Sequence, residues 1–228
     1  MQLTPHECRV LGVLVEKAQT TPAQYPLTVN AIVSGCNQKS NRNPIVTFTD
    51  NSVTQVLDAL RGKSLVTEVY LTGSRVVKYR HEMRQALELT THQICILAEL
   101  MLRGPQTIGD IRGRVSRMHP IESLEMAHNI VDSLMENDPP MIAVHPPPPG
   151  SRAEIYSQLL CPQLHPIEAG SGEHVAAPRV AATPAVNEQL TERVETLEAQ
   201  VKKLTTALES LATSLGEPNP FQSQDTSE

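Results

Sequence analysis

Four arginines lie close together in the middle of the sequence and could bind an anion. Arg103, Arg112, Arg114 and Arg117 surround a single acid, Asp110, which gives this window a local charge of +3. A guanidinium group donates paired hydrogen bonds to phosphate or carboxylate oxygens, and Arg114 and Arg117 share a face on a helix. The cluster could contact phosphate or a partner, or form ion pairs within the chain; the sequence favours the ion pairs.

A second candidate is the polar segment Asn37–Pro44, which reads Asn-Gln-Lys-Ser-Asn-Arg-Asn-Pro. Lys39 and Arg42, with the neighbouring amides, could grip phosphates or the backbone of a partner. Equally, the Asn and Ser side chains could cap helix ends and close turns. Long loops in compact domains tend to be functional, and the sequence leaves both interpretations open.

The sequence contains no motif that indicates catalysis or metal binding. We find no nucleophile elbow, phosphate loop, zinc helix or paired-carboxylate motif. Cys8, Cys36, Cys95 and Cys161 lie far apart, without a Cys-x-x-Cys pair. His92 and Cys95 are three residues apart, but two ligands without further partners make a weak metal site. We therefore predict a protein that is not an enzyme, with no cofactor, no metal and no identified small-molecule substrate.

Two similar series of helix and strand signals must position these residues. One begins with the capping box Thr4-Pro5-His6-Glu7 and the other with Thr90-Thr91-His92-Gln93. In each, apolar residues at helical spacing follow the box, and then come a short second helix, a third helix and an alternating strand. Each series closes with a glycine turn and a returning strand that we expect to end at a tyrosine, Tyr79 or Tyr156.

Three helices followed by a two-stranded hairpin is the order of a winged helix, a helix-turn-helix with a β-wing. We therefore predict an α+β chain, mostly α with small β-wings, in which two tandem winged-helix domains, residues 1–82 and 83–165, pack together. Residues 166–187, rich in Pro, Ala and Gly, are predicted to be a flexible linker. A coiled-coil helix is predicted at 188–216 and a disordered tail at 217–228.

The coiled-coil prediction depends on an unbroken heptad seam of apolar residues. Val194 and Val201 at a, with Leu197 and Leu204 at d, are typical of parallel dimers, so we predict a homodimer. The alternative is a single amphipathic helix that folds back on its own chain. The seam residues expected to mediate oligomerisation are Leu190, Val194, Leu197, Val201, Leu204, Leu208, Leu211 and Leu215.

Charge is distributed unevenly along the chain. The formal net charge is −6, from 19 Lys+Arg and 25 Asp+Glu. Residues 1–165 hold 15 of each kind, whereas residues 166–228 hold 4 basic and 10 acidic residues. A protein that binds nucleic acid by electrostatics usually has a basic domain, and this neutral body therefore argues against strong DNA binding.

Hydropathy along the chain gives no sign of a membrane protein. The longest apolar runs are about five residues, whereas a membrane span needs roughly 20. The N-terminus, Met-Gln-Leu-Thr-Pro-His-Glu, has neither a basic region nor an apolar signal core. We therefore predict a cytoplasmic protein with no membrane association.

Two motifs resemble those of the YceH-like family of uncharacterised bacterial proteins. The longer one lies between Glu16 and Pro44 and includes Glu-Lys-Ala-Gln-Thr-Thr-Pro, Tyr-Pro-Leu and Cys-Asn-Gln-Lys-Ser-Asn-Arg. The shorter one is Leu102-Arg-Gly-Pro-Gln-Thr107, and with Gly150-Ser-Arg152 the resemblance covers roughly residues 3–160. It implies a pair of winged-helix domains, a bacterial source and often a C-terminal helix predicted as coiled coil. It implies no activity, substrate or catalytic residue.

The third helix of a winged helix is the element that reads DNA bases. In the first domain it offers Asn51 and Gln55, and Arg75 and Lys78 in the wing could contact phosphates. The corresponding helix of the second domain carries several acids and no Lys or Arg, which disfavours contact with a phosphate backbone.

Two function hypotheses stay open at this point. The first is a regulatory or scaffold module that binds DNA, and the second is a protein-docking scaffold with no nucleic-acid binding; fold alone does not choose between them. The residues expected at a DNA or partner interface are Lys39, Arg42, Asn51, Gln55, Arg75, Lys78, Arg103, Arg112, Arg114, Arg117 and Arg152.

Overall fold

Helices and two small hairpins make up the structure, a computed structural model that describes residues 1–70, 73, 76–147, 150, 152–167 and 205–206. The first half (residues 1–82) contains α1 (Pro5–Thr20), α2 (Val29–Cys36), α3 (Asp50–Gly62), β1 (Val66–Val69) and β2 (Lys78–His81). The second half (residues 83–165) contains α4 (Met83–Ala86), α5 (Thr91–Arg103), α6 (Ile108–Val115), α7 (Leu124–Met135), β3 (Ile142–His145) and β4 (Ile155–Gln158). The chain is therefore α+β, as the sequence predicts.

The helices α1 and α5 begin at the predicted capping boxes. The Thr4 hydroxyl accepts a hydrogen bond from the Glu7 N–H (3.2 Å), and the Glu7 carboxylate accepts one from the Thr4 N–H (2.7 Å). Thr90 and Gln93 form the same reciprocal pair. Each box satisfies donors that a helix start otherwise leaves unpaired. Both helices consequently start where the sequence places them.

Each hairpin is bridged to the residue that precedes the N-cap of a short helix, α2 in the first half and α6 in the second. The backbones of Leu27 and Tyr79 exchange two hydrogen bonds, at 3.1 and 2.7 Å. Gln106 and Tyr156 exchange two in the same way, at 3.1 and 2.8 Å. The two halves thus share a backbone pairing as well as the order of their elements.

The returning strands run past the tyrosines, so the predicted ends of these strands are wrong. The strand β2 covers Lys78–His81, and β4 covers Ile155–Gln158. Antiparallel pairing sets these ends, because Arg80 still pairs with Thr67 of β1, beyond the tyrosine. Arg75, expected in the first wing, lies outside the described residues.

Packing of α1 against α5 joins the two halves into one hydrophobic core. A Cβ atom on Gly12 would lie 2.9 Å from Cγ of Leu102, so the glycine permits a close helix contact. Two backbone hydrogen bonds of 2.8 Å also cross between the halves: Leu3 N–H donates to the Leu160 carbonyl, and Asn43 N–H donates to the Leu102 carbonyl. Residues 1–171 accordingly form one compact unit.

Residues 172–228 form a second unit. In it the structure describes Thr205 and Thr206, which are helical. All eight residues of the predicted heptad seam lie outside the described residues, as do the tail at 217–228 and the linker beyond residue 167.

Candidate functional site

A cleft of about 450 Å³ opens where α1, the loop after α2, α5 and α6 converge. It brings together the two groups of candidate residues, although the loop and the arginine window lie far apart in the sequence. Among the described residues, six cationic side chains and two carboxylates line it, a formal excess of four positive charges. These residues are Lys17, Lys39, Arg42, Arg103, Arg114, Arg117, Glu16 and Glu99.

Arg42 is buried and holds the loop against α1. Its two terminal nitrogens donate to the two oxygens of Glu16, at 3.0 and 2.8 Å. It also donates to the Gly35 carbonyl (3.1 Å) and to Oε1 of Gln38 (2.7 Å). Burial alone would raise the pKa of the Glu16 carboxyl, but hydrogen bonding and attraction to Arg42 hold it below its ordinary value. Arg42 therefore closes the loop and offers little to a ligand.

Asn37 closes the other end of the same loop. Its amide nitrogen donates to the Phe48 carbonyl at 2.9 Å, and its amide oxygen accepts from the Phe48 N–H at 2.7 Å. This is the turn-closing role that the sequence left open for the polar residues of the loop. Lys39 and Ser40, by contrast, are exposed at the mouth of the cleft.

A second buried acid, Glu99, forms the floor of the cleft. Its side chain is fully withdrawn from solvent and accepts a hydrogen bond from Arg103, one turn further along α5. Arg103 also approaches Glu16 of the first half, and Arg114 approaches Glu99, both at 4.0 Å. The intramolecular ion pairs that the sequence favoured for the arginine window are thus present for Arg103 and Arg114.

The two acids do not balance the cations around them. Burial lowers the pKa of Arg103 to about 10; Glu16 opposes this change, and repulsion by Arg117, Arg42 and Arg114 adds to it. Lys39 and Arg117 are exposed, and neither has an ion-pair partner within the part of the chain that the structure describes. The arrangement is suited to attract an anion.

Sequence comparison places this chain among known proteins. The family model described as "Protein of unknown function, DUF480" matches residues 3–151. The chain belongs to the DUF480 family. It is 41% identical to a UPF0502 protein of Koribacter versatilis (strain Ellin345), over 89% of this chain and 90% of the relative. It is 39% identical to a UPF0502 protein of Shewanella oneidensis, over 94% and 100% of the two chains.

The resemblance to a family of uncharacterised bacterial proteins is thereby confirmed, and the names of these relatives state no activity. The function of this DUF480 chain has to be argued from its own side chains.

The third helix of the first half exposes Asn51 and Gln55, as a base-reading helix would. The cations around it, however, are engaged by acids. Arg61 lies 3.1 Å from Asp58 and 2.8 Å from Glu68, and Lys63 lies 2.7 Å from Glu7. Among the described residues beside α3, Arg61 and Lys63 therefore offer little free positive charge to a phosphate backbone.

The other candidate residues that the structure describes lie outside the cleft. Arg112 donates to the carbonyls of Ile121 and Glu122, at 3.2 and 2.8 Å, and so holds the segment before α7. Lys78 is half-buried in β2, and Arg152 is exposed next to Gly150. The helix α7 has no Lys or Arg, and the acids on and beside it are exposed: Glu122, Glu125, Asp132 and Glu136.

Thiols and histidines show no arrangement for catalysis or metal binding in the described residues. There, no group of three or more His, Cys, Asp or Glu side chains could hold a metal ion. All four cysteines are buried, and burial raises the pKa of Cys95 to about 12. No helix in the described part of the chain has the length and apolar character needed to cross a membrane.

Sequence reasoning missed the two acids that organise the cleft of this DUF480 protein. Glu16 and Glu99 are 8% and 0% exposed, in helices whose other buried residues are mostly apolar. The sequence signal that could have indicated their burial is a carboxylate directly after a run of apolar residues. This pattern occurs in Val13-Leu-Val-Glu16 and in Ile96-Leu-Ala-Glu99. A buried charge requires a partner, and the basic loop and arginine window supply it.

Proposed function

We propose that this protein is a non-enzymatic regulatory or scaffold module, built from tandem winged-helix domains at 1–82 and 83–165. In this proposal it is a cytoplasmic homodimer, joined through the heptad seam at 190–215, that contacts the phosphate backbone of nucleic acid. The shared helix order, the paired capping boxes and the equivalent Tyr79 and Tyr156 bridges support the domain assignment.

One observation carries the binding proposal: a cleft with a formal excess of four positive charges, lined by both halves of a body whose formal net charge is zero. Phosphate contacts supply most of the affinity of non-specific nucleic-acid binding. The neutralised face of α3 and the acidic α7 favour the cleft, rather than the third helices, as the main contact. Base-specific reading by Asn51 and Gln55 is at most a secondary contribution.

Fluorescence anisotropy of a labelled DNA duplex tests this function. Lys39, Arg114 and Arg117 supply about three phosphate contacts per protomer, so log K should fall with log salt at a slope of about −3. We expect weak, non-specific binding in the range of roughly 10⁻⁴–10⁻⁶ M at physiological salt. Absence of binding at low salt would remove nucleic acid from the proposal.

The second candidate is a protein-docking scaffold with no nucleic-acid binding. The charges around α3 and α7 favour it. Arg61 and Lys63 near α3 are paired with acids, and α7 exposes acids, so neither helix presents free positive charge from these residues. A pull-down from the native cytoplasm, with and without nuclease, separates the candidates. Partners that survive nuclease treatment, together with no duplex binding, would support docking.

A further inference from the structure

We propose that the cationic cleft binds an oligophosphate group, held between the two halves of the protein. The proposal rests on the cleft used in the proposed function, but it does not require nucleic acid. The ligand class is a short chain of linked phosphates, either free or as the phosphate chain of a nucleotide.

Charge balance requires a ligand with more than one negative charge. Glu16 is engaged by Arg42, and Glu99 is engaged by Arg103. Four cations are left over: Lys17, Lys39, Arg114 and Arg117. Lys17 lies 3.4 Å from Glu16 and Arg114 lies 4.0 Å from Glu99, whereas Lys39 and Arg117 have no acid partner among the described residues. A monoanion would leave most of this excess in place, whereas linked phosphates bring several negative charges and many acceptor oxygens to one place.

The remaining cations stand on two different walls. Lys39 belongs to the loop after α2 in the first half, whereas Arg114 and Arg117 belong to α6 and the turn after it in the second half. One compact anion between the walls would contact both. A ligand in this position therefore links the halves, in addition to the α1–α5 packing.

Arg103, in the wall of the cleft, has an unpaired donor and an incompletely balanced charge. Arg103 is about nine-tenths buried and lines the cleft, and its Nε–H has no acceptor among the described residues. Buried polar groups in native proteins nearly always have a partner. The Nε atom itself is closed to solvent, so a phosphate in the cleft would act on Arg103 through its charge and relieve the repulsion by Arg42, Arg114 and Arg117.

The lining indicates recognition of phosphates rather than of a base. None of the described residues that line the cleft is aromatic, so a base has no surface on which to stack. Gln38, Ser40 and Asn41 are neutral polar side chains of the lining that can donate to phosphate oxygens, whereas the Thr20 hydroxyl already donates to the Glu16 carbonyl at 2.8 Å. The volume of about 450 Å³ suits a small ligand.

Isothermal titration calorimetry on the full chain at low salt tests the proposal directly. The titrants are tripolyphosphate, ATP, orthophosphate, citrate and adenosine. We expect tripolyphosphate to bind at least about tenfold more tightly than orthophosphate or citrate, and adenosine not to bind. If ATP binds as tightly as tripolyphosphate does, the phosphate chain of a nucleotide is a possible source of the ligand. If ATP does not bind, the ligand is restricted to free oligophosphate. Citrate binding as tightly as tripolyphosphate would overturn the assignment to phosphate.

Two variants test whether both walls take part. Lys39→Gln in the first half and Arg117→Gln in the second should each weaken tripolyphosphate binding by about tenfold, because each removes a charge-assisted contact. Arg84→Gln, an exposed cation of α4 outside the cleft, is the matched control and should leave binding unchanged. An effect of only one wall variant, or an equal effect of the control, would overturn the bridging proposal.

A labelled duplex measured in the same buffer keeps this inference distinct from the proposed function. Tripolyphosphate binding without duplex binding would contradict the nucleic-acid function alone. Duplex binding without tripolyphosphate binding would contradict the present inference alone. Full occupancy by tripolyphosphate should also displace the duplex, since both occupy the cleft.

Discussion

The Nη2 atom of Arg42 lies 2.8 Å from Oε1 of Glu16, and both side chains are largely withdrawn from solvent. This contact fixes the polar loop to the end of α1 and removes one of the loop's two cations from the surface. Lys39 is left as the cation that the loop presents to the cleft. One loop therefore supplies both the arginine that holds it to α1 and a lysine that lines the cleft.

Replacing Arg42 by methionine should strongly destabilise the protein. Glu16 would keep only Lys17 at 3.4 Å and Arg103 at 4.0 Å. Removing one partner of a buried ion pair typically costs about 3–5 kcal/mol in the free energy of unfolding. Urea denaturation measures the loss. Lys39→Met, on the same loop but exposed, is the control and should change the free energy of unfolding by no more than about 0.5 kcal/mol. Equal losses in the two variants would contradict a structural role for the Arg42–Glu16 ion pair.

Stability should fall with acid because Glu16 must stay ionised. Its pKa is lower in the folded state than the ordinary value of 4.5. A carboxyl of this kind contributes stability above its unfolded pKa and loses it as the pH drops through the folded pKa. Urea midpoints from about pH 7 to about pH 3 should therefore decline below about pH 4.5.

Glu16→Gln should show a shallower decline over the same range. Part of the decline should remain, because Glu7, beside Lys63, also has a lowered pKa. Identical pH profiles for the variant and the wild type would contradict the assignment to Glu16.

The local parts of this fold follow from the sequence, and the cleft does not. Thr4 with Glu7, and Thr90 with Gln93, mark two helix starts because a cap is a contact between residues three apart. The cleft depends on the approach of α1 to α5, some 86 residues apart in sequence when Thr4 is compared with Thr90. Local sequence patterns do not show which residues so far apart in the chain come into contact.

The roles of the individual candidate residues also depend on contacts between residues that are distant in the sequence. From the composition around it, Arg42 could either bind a ligand or form an ion pair that holds the loop in place. The position of Glu16 on α1 decides for the ion pair. The strand end at Tyr79 was misplaced because pairing with β1, rather than the tyrosine itself, determines where β2 stops.

Close packing of the halves is tested at Gly12. A leucine there would collide with Leu102 of α5, where even a Cβ would lie 2.9 Å from Cγ. Overpacking of this kind costs about 1–3 kcal/mol, and we expect a matching fall in the urea midpoint. Gly113→Leu is the control, because nothing lies within 4 Å of a Cβ at that helical position. Equal tolerance at both positions would contradict the tight α1–α5 contact.

The homodimer proposal is tested by charges in the heptad seam. Leu197→Glu together with Leu204→Glu places two charges at d positions and should convert the dimer into a monomer, because the seam must be apolar. Light scattering on the full chain measures the mass. Ala199→Glu, at an f position of the same heptad, should stay dimeric. A mass unchanged by the double variant would mean that the seam does not join two chains.

A single duplex titration decides whether the cleft or the helix α3 contacts nucleic acid. Anisotropy is measured across a salt series for the wild type, for Lys39→Glu with Arg117→Glu, and for Asn51→Ala with Gln55→Ala. We expect the cleft variant to lose at least about tenfold in affinity and its salt slope to shrink by about two. The helix variant should stay within about twofold of the wild type. A cleft variant that binds like the wild type, with binding lost in the helix variant, would contradict the account.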